Sequence, residues 1–230
     1  MEKIQLLIFP GLGGDKRMAY PQLELPYDVI ALDLIEMRSD ESIAEYAQRF
    51  VESLPIDTAR QLWLAGYSFG SAIAQELCSV LHAEGLIIIG GLRSGKDFRW
   101  TVRLVGSLAP FFPPIFFDLI SPIAWIGMKY FSGISDHDVD LNYSMYRKTS
   151  KKLFRRGLSA IIKWSGKSVT VPTLRIHGTR DHIILPPSAS KDVILMNAKH
   201  LVHFACAEEV NLTIRDFVDR TMRAKAERIA

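Results

Sequence analysis

The sequence predicts an α/β protein with a mainly parallel sheet of about six strands and helices on both of its faces. Three observations carry this expectation. Short apolar runs recur between stretches of helical periodicity along most of the chain. One of these runs, Leu86-Ile87-Ile88-Ile89, is apolar at every position, as a strand covered on both sides must be. The run 61–65 passes through Gly66-Tyr67-Ser68-Phe69-Gly70 directly into a helical pattern, the step from which parallel sheets are built.

The elements follow in order. Strand 4–9 stops at Pro10-Gly11-Leu12-Gly13-Gly14, where proline and three glycines break the pattern. A second strand spans 28–33, a helical pattern 42–54, a third strand 61–66, a helix 68–82 and a fourth strand 86–90. From Gly91 to Lys167 the alternation stops and aromatics, prolines and helical patterns take over. It resumes with strands 173–177 and 193–196 and ends in a helix over 205–224. The 230 residues, 48% of them hydrophobic, suffice for one substantial core.

The turn at 66–70 is the most informative segment. A sharp strand-to-helix turn strains its central residue, and glycines two positions either side let strand and helix approach while the serine hydroxyl stands clear. Ser68 is therefore a candidate nucleophile. A serine needs a base, and the base needs an orienting acid. The carboxyl-terminal third offers Asp181, on the loop beyond strand 173–177, and His203, after strand 193–196. His200 competes for the base, whereas His177 at a strand end reads as structural.

The order Ser, Asp, His and the segments GYSFG, HGTRD and HFACAEE resemble the α/β-hydrolase superfamily over nearly the whole chain. Within that resemblance His203 is favoured over His200, because only His203 is followed by Phe-Ala-Cys-Ala-Glu-Glu. The resemblance implies a serine esterase or thioesterase with a catalytic triad of Ser68, Asp181 and His203. It also implies an oxyanion hole from the backbone amides of Leu12 and Phe69, with Pro10 standing where the family commonly has histidine. It places a helical cap at 92–167 between core segments 1–91 and 168–230, and predicts about six strands without the family's opening antiparallel hairpin. Trp100, Trp125 and Phe131 are the candidate lining of an apolar acyl pocket beneath that cap. Acyl transfer on the same site and a non-catalytic receptor of the same fold are the alternatives.

Other features narrow the partners. The strand, glycine loop and Asp33 mimic a dinucleotide-binding unit, but Lys16 stands where the third glycine of that motif packs helix on strand. Asp33 reads instead as a loop cap. From Leu141 through Arg180 there is no acidic residue, and ten Lys and Arg side chains occur. With Tyr146, Leu153, Phe154, Gly157, Leu158 and Ile161 at helical spacing, this stretch reads as an amphipathic helix whose basic face could attract an anionic acyl carrier or an acidic membrane. No nucleic-acid module accompanies the charge. No metal or organic cofactor is implied, and no apolar run reaches the length of a transmembrane segment. The absence of a leader-like opening and the presence of only two cysteines, Cys78 and Cys206, lead to the expectation of a cytoplasmic protein.

Overall fold

A computed structural model describes residues 4–229, without the side chains of Ala124, Phe131, Arg228 and Ile229. Six strands form one sheet: β1 (Ile4–Phe9), β2 (Asp28–Ala31), β3 (Gln61–Tyr67), β4 (Gly85–Ile89), β5 (Thr173–Gly178) and β6 (Val193–Met196). Their order is β2-β1-β3-β4-β5-β6, and every neighbouring pair is parallel. The chain runs outward from β1 to β2, then returns to lay β3 on the other side of β1. The loops after β1 and β3 therefore diverge from adjacent strand ends at the switch point, where open α/β sheets form their binding crevice.

Strand alternation sorts the apolar side chains into two cores. Leu7 and Phe9 of β1, Leu62 and Leu64 of β3, and Leu86 and Ile88 of β4 face one side. There they meet helix α1 (Ile43–Phe50) and helix α2 (Phe69–Val80). Leu6, Ile8, Trp63, Ala65, Ile87 and Ile89 face the other. They pack on the long helix α9 (Ala207–Ile229), with Trp63 edge-on to Phe217 at 6.0 Å. Both faces are covered, which is why the central strands lack polar alternation.

Local chemistry sets the helix ends. Ser42 accepts from the Glu45 amide while the Glu45 carboxylate accepts from the Ser42 amide, a reciprocal cap that starts α1. The expected helix over 42–54 tightens after Phe50 into a 3-10 turn over Val51–Ser53. Asp33 accepts from the Lys16 amide at 2.9 Å, at the start of the 3-10 segment Lys16–Glu24 that Asp15 caps through the Arg17 amide.

Between β4 and β5 lie α3 (Trp100–Leu108), α4 (Pro114–Leu119), α5 (Ser121–Ser132), α6 (Asp136–Lys148) and α7 (Lys151–Lys163). The single amphipathic helix expected around 146–161 is two helices. Ser150 takes extended-type backbone and caps α7 through the Leu153 amide, and the chain turns there. Lys151 is consequently buried: its ammonium donates to the carbonyls of Tyr146 and Thr149 and lies 4.0 Å from the centre of the Tyr146 ring. Burial draws its pKa down, against the pull of Asp118. Arg155 donates to the carbonyls of Pro110 and Phe112, and Arg156 to that of Met37. Part of the basic run thus ties the insertion together, and Lys148 and Lys152 remain exposed.

A close joint forms where α2 leaves β3. A Cβ on Gly70 would strike the carbonyl oxygens of Phe9 and Pro10, and one on Gly66 would strike the Gly70 backbone. These obstacles are backbone, so they cannot swing aside. Gly70→Ala should destabilise the protein by at least about 3 kcal/mol in urea unfolding. A loss below about 1 kcal/mol would mean that β1 and α2 separate easily.

Candidate active site

The geometry begins at Ser68, which links β3 to α2 with φ 47° and ψ −113°. That left-handed backbone is costly for serine, and it is held by the Ser68 amide donating to the Ile89 carbonyl at 3.1 Å and by Ser71 donating to the Ser68 carbonyl. The hydroxyl makes no capping bond to α2. It points instead at His200 Nε2, 3.0 Å away.

Asp181 stands three residues beyond β5, fully buried. Its Oδ1 accepts from the amides of Ile183 (2.7 Å) and Ile184 (3.0 Å). Its Oδ2 lies 2.8 Å from His200 Nδ1 and 3.0 Å from His177 Nε2. Burial alone would raise the carboxyl's pKa, but the His200 ring, the bonds from both histidines and the Ile184 amide outweigh it and hold Asp181 well below the usual carboxylate range. An ionised Asp181 fixes the proton of His200 on Nδ1, which leaves Nε2 as the acceptor for the Ser68 hydroxyl.

The geometry departs here from the sequence expectation: the structure brings His200, not His203, between Ser68 and Asp181. The loop after β6 explains this. The Thr179 and Arg180 amides donate to the carbonyls of Met196 and Ala198, pinning the loop over the end of β5. It crosses Gly178, where any side chain would strike the carbonyls of Ala198 and Lys199, and Gly90, whose missing Cβ would lie 2.8 Å from the His200 carbonyl. His200 arrives on that loop before helix α8 (Val202–Ala205) begins. His203 belongs to α8 and turns inward, stacked on Tyr67 with ring centres 4.0 Å apart. It is 1% exposed, its Nε2 has no hydrogen-bond partner, and burial together with nearby His200 pushes its pKa down to about 3. The signal for His200 was positional: it is the histidine that directly follows a strand-end loop, whereas HFACAEE is already helical.

A cavity of about 330 Å³ opens beside Ser68. Its walls are largely apolar. Gly11, Leu12 and Phe69 border it next to Ser68, and both His200 and His203 reach it. The Phe69 amide stands in the first turn of α2, where no helical acceptor is available to it. From the insertion come Val102, Met128, Ser132, Asn142, Phe154 and Leu158, none of them anticipated from the sequence. Two of the anticipated aromatics lie elsewhere. Trp100 is 74% exposed, because two residues along α3 carry the chain round to the opposite side from Val102. Trp125 donates its indole N–H to Asp140 on the outside of α5. The Phe131 side chain lies outside the described residues. Among the described residues no group of three or more His, Cys, Asp or Glu could hold a metal ion.

The parallel sheet, the strained serine between β3 and α2 and the acid after β5 together define an α/β-hydrolase fold, which this chain has. Solved structures agree. The chain is similar to a thermophilic esterase from Thermogutta terrifontis (TM-score 0.74, 14% identity, 96% of this chain and 91% of that one). It is also similar to the enol-lactonase from Burkholderia xenovorans (TM-score 0.72, 16% identity, 95% and 92%). A third similar structure is MenH from S. aureus (TM-score 0.71, 18% identity, 96% of both chains). No protein-family model matches the sequence, and a search of curated proteins finds no match.

His203 yields a test by pH. Its folded pKa of about 3 lies below the unfolded value of 6.5, so between those limits the unfolded chain takes up a proton that the fold refuses. Stability should therefore fall with acidity, at up to about 1.4 kcal/mol per pH unit from this group. In urea titrations from pH 7 to 4, His203→Phe should show a shallower acid slope than the parent. Equal slopes would show that His203 is not held neutral.

Proposed function

We propose that the chain is a serine hydrolase that cleaves an ester or thioester through an acyl-enzyme, with Ser68 as nucleophile, His200 as general base and acid, and Asp181 as orienting carboxylate. The observation that carries this reading is the continuous hydrogen-bonded line from Ser68 through His200 to Asp181, at 3.0 and 2.8 Å. The neighbours named as an esterase and an enol-lactonase agree with ester chemistry on this fold.

The steps follow from the geometry. As Ser68 Oγ attacks the acyl carbon, its proton passes to His200 Nε2, and Asp181 stabilises the imidazolium that results. The acyl oxygen takes the negative charge and is held by the amides of Phe69 and Leu12, each such donor contributing about 3 kcal/mol to the barrier reduction. His200 then returns the proton to the departing alcohol or thiol oxygen or sulfur, leaving an acyl-serine. Water enters, gives a proton to His200 and releases the acid by the same route. The apolar cavity selects an apolar acyl or aryl group, and Val102, Met128, Phe154 and Leu158 set its shape. An anionic acyl carrier has less to grip than the charge run alone suggests, because Lys151, Arg155 and Arg156 are engaged by backbone carbonyls.

Three substitutions test this. With a short p-nitrophenyl ester, Ser68→Ala and His200→Ala should each lower kcat/KM by at least about a thousandfold and abolish fluorophosphonate labelling. His203→Ala, if folded by circular dichroism, should stay within about tenfold of the parent, since its ring stacks rather than relays protons. Failure of the parent to label with the fluorophosphonate would assign the fold a binding role instead. Loss in His203→Ala with retention in His200→Ala would reverse the assignment of the base.

A further inference from the structure

The largest unexplained feature is on the outside of the insertion. Trp100, Phe111, Ile115, Leu119, Ile123 and Ile126 are all more than half exposed, with Phe111 at 80%, Trp100 at 74% and Leu119 at 73%. They lie on α3, α4, α5 and the 3-10 turn Ala109–Phe111. These elements form an outer layer, with α3 and α4 packed on α7 and α5 packed on α6. Their inner sides also carry apolar residues: Val102 and Met128 line the cavity. Helices apolar on both sides need something apolar outside as well as inside.

We infer that this outer layer docks on the surface of an anionic lipid bilayer, placing the insertion between membrane and cavity. Three observations favour a bilayer over other occupants. The first is charge: between Trp100 and Tyr130 the only charged residues are Arg103, Asp118 and Lys129. The supporting helices add exposed Arg147 and Lys152, and α7 carries no acidic residue. Asp118 lies 3.9 Å from the Lys151 ammonium and Asp136 pairs with Lys129, so these two acids are answered by cations, and Asp140 is left with the neutral Trp125 indole as its donor. The second is composition, since exposed Trp and Phe beside Arg and Lys suit the headgroup boundary. The third concerns symmetry. A second copy would bring the same exposed Arg103, Arg147 and Lys152 to the contact, whereas an anionic surface complements them. No helix among the described residues is long and apolar enough to cross a membrane, so the contact is interfacial. Delivery of a lipid-borne acyl ester from that surface to the cavity rests on the hydrolase reading; the docking itself does not.

Co-sedimentation with vesicles tests the docking. The full chain should pellet with phosphatidylcholine vesicles containing about one-third phosphatidylglycerol, and less with phosphatidylcholine alone or in high salt. Phe111→Ser/Leu119→Ser and Arg103→Glu/Lys152→Glu should each weaken partition by about tenfold or more. Both pairs are surface substitutions outside the cavity lining, so unchanged thermal unfolding serves as the folding control. Ser68→Ala should bind vesicles like the parent, which separates docking from catalysis: loss of ester cleavage with binding intact concerns the site alone. Absence of vesicle binding by the parent would overturn the proposal. So would a dimer, seen by light scattering, that Phe111→Ser/Leu119→Ser dissociates while vesicle binding is unaffected.

Discussion

The site depends on burying one anion. A carboxylate removed from water carries a penalty of several kcal/mol unless donors replace the solvent, and Asp181 has no exposed surface. It has four donors: the amides of Ile183 and Ile184, and the ring nitrogens of His177 and His200. Those groups come from the end of β5, the loop beyond it and the loop after β6. Satisfying the carboxylate therefore closes three segments into one arrangement, and the same closure sets His200 against Ser68. Arg99, just ahead of α3, adds a bond to the Asp181 carbonyl and ties the insertion to this loop.

A second constraint acts through backbone approach. Parallel strands place Ser68, Asp181 and His200 beyond the carboxyl ends of β3, β5 and β6, and the loops there must approach closely for hydrogen bonding. Glycines close the gaps. Gly66 and Gly70 let α2 settle against β1, and Gly178 and Gly90 let the loop carrying His200 lie on the ends of β5 and β4. Each missing side chain faces main-chain atoms, which cannot rearrange as a flexible side chain could.

The insertion works on different terms. Its helices contribute apolar walls to the cavity through one side and expose apolar residues through the other. Its cations serve two ends: Lys151 and Arg155 satisfy carbonyls within the insertion and Arg156 that of Met37 in the loop ahead of α1, while Lys148 and Lys152 face outward. A charge run in the sequence thus divides into internal ties and an external field, according to where α6 breaks from α7.

The six strands were legible because buried strands are apolar throughout, and that pattern survives any tertiary arrangement. Ser68 was legible because a strained turn between glycines is a local property, and Asp181 because it follows its strand directly. Trp100 was misplaced because helical phase decides which side of α3 faces inward, and composition is silent on phase: Trp100 and Val102 are both apolar, and only packing against α7 distinguishes them. The histidine that meets Ser68 is the sharpest case. His200 and His203 lie three residues apart in one stretch, and the sequence by itself determined that a histidine would follow β6. Only the tertiary structure decided which one, because the loop that crosses Gly178 and Gly90 delivers His200 to Asp181 before α8 begins and turns His203 onto Tyr67.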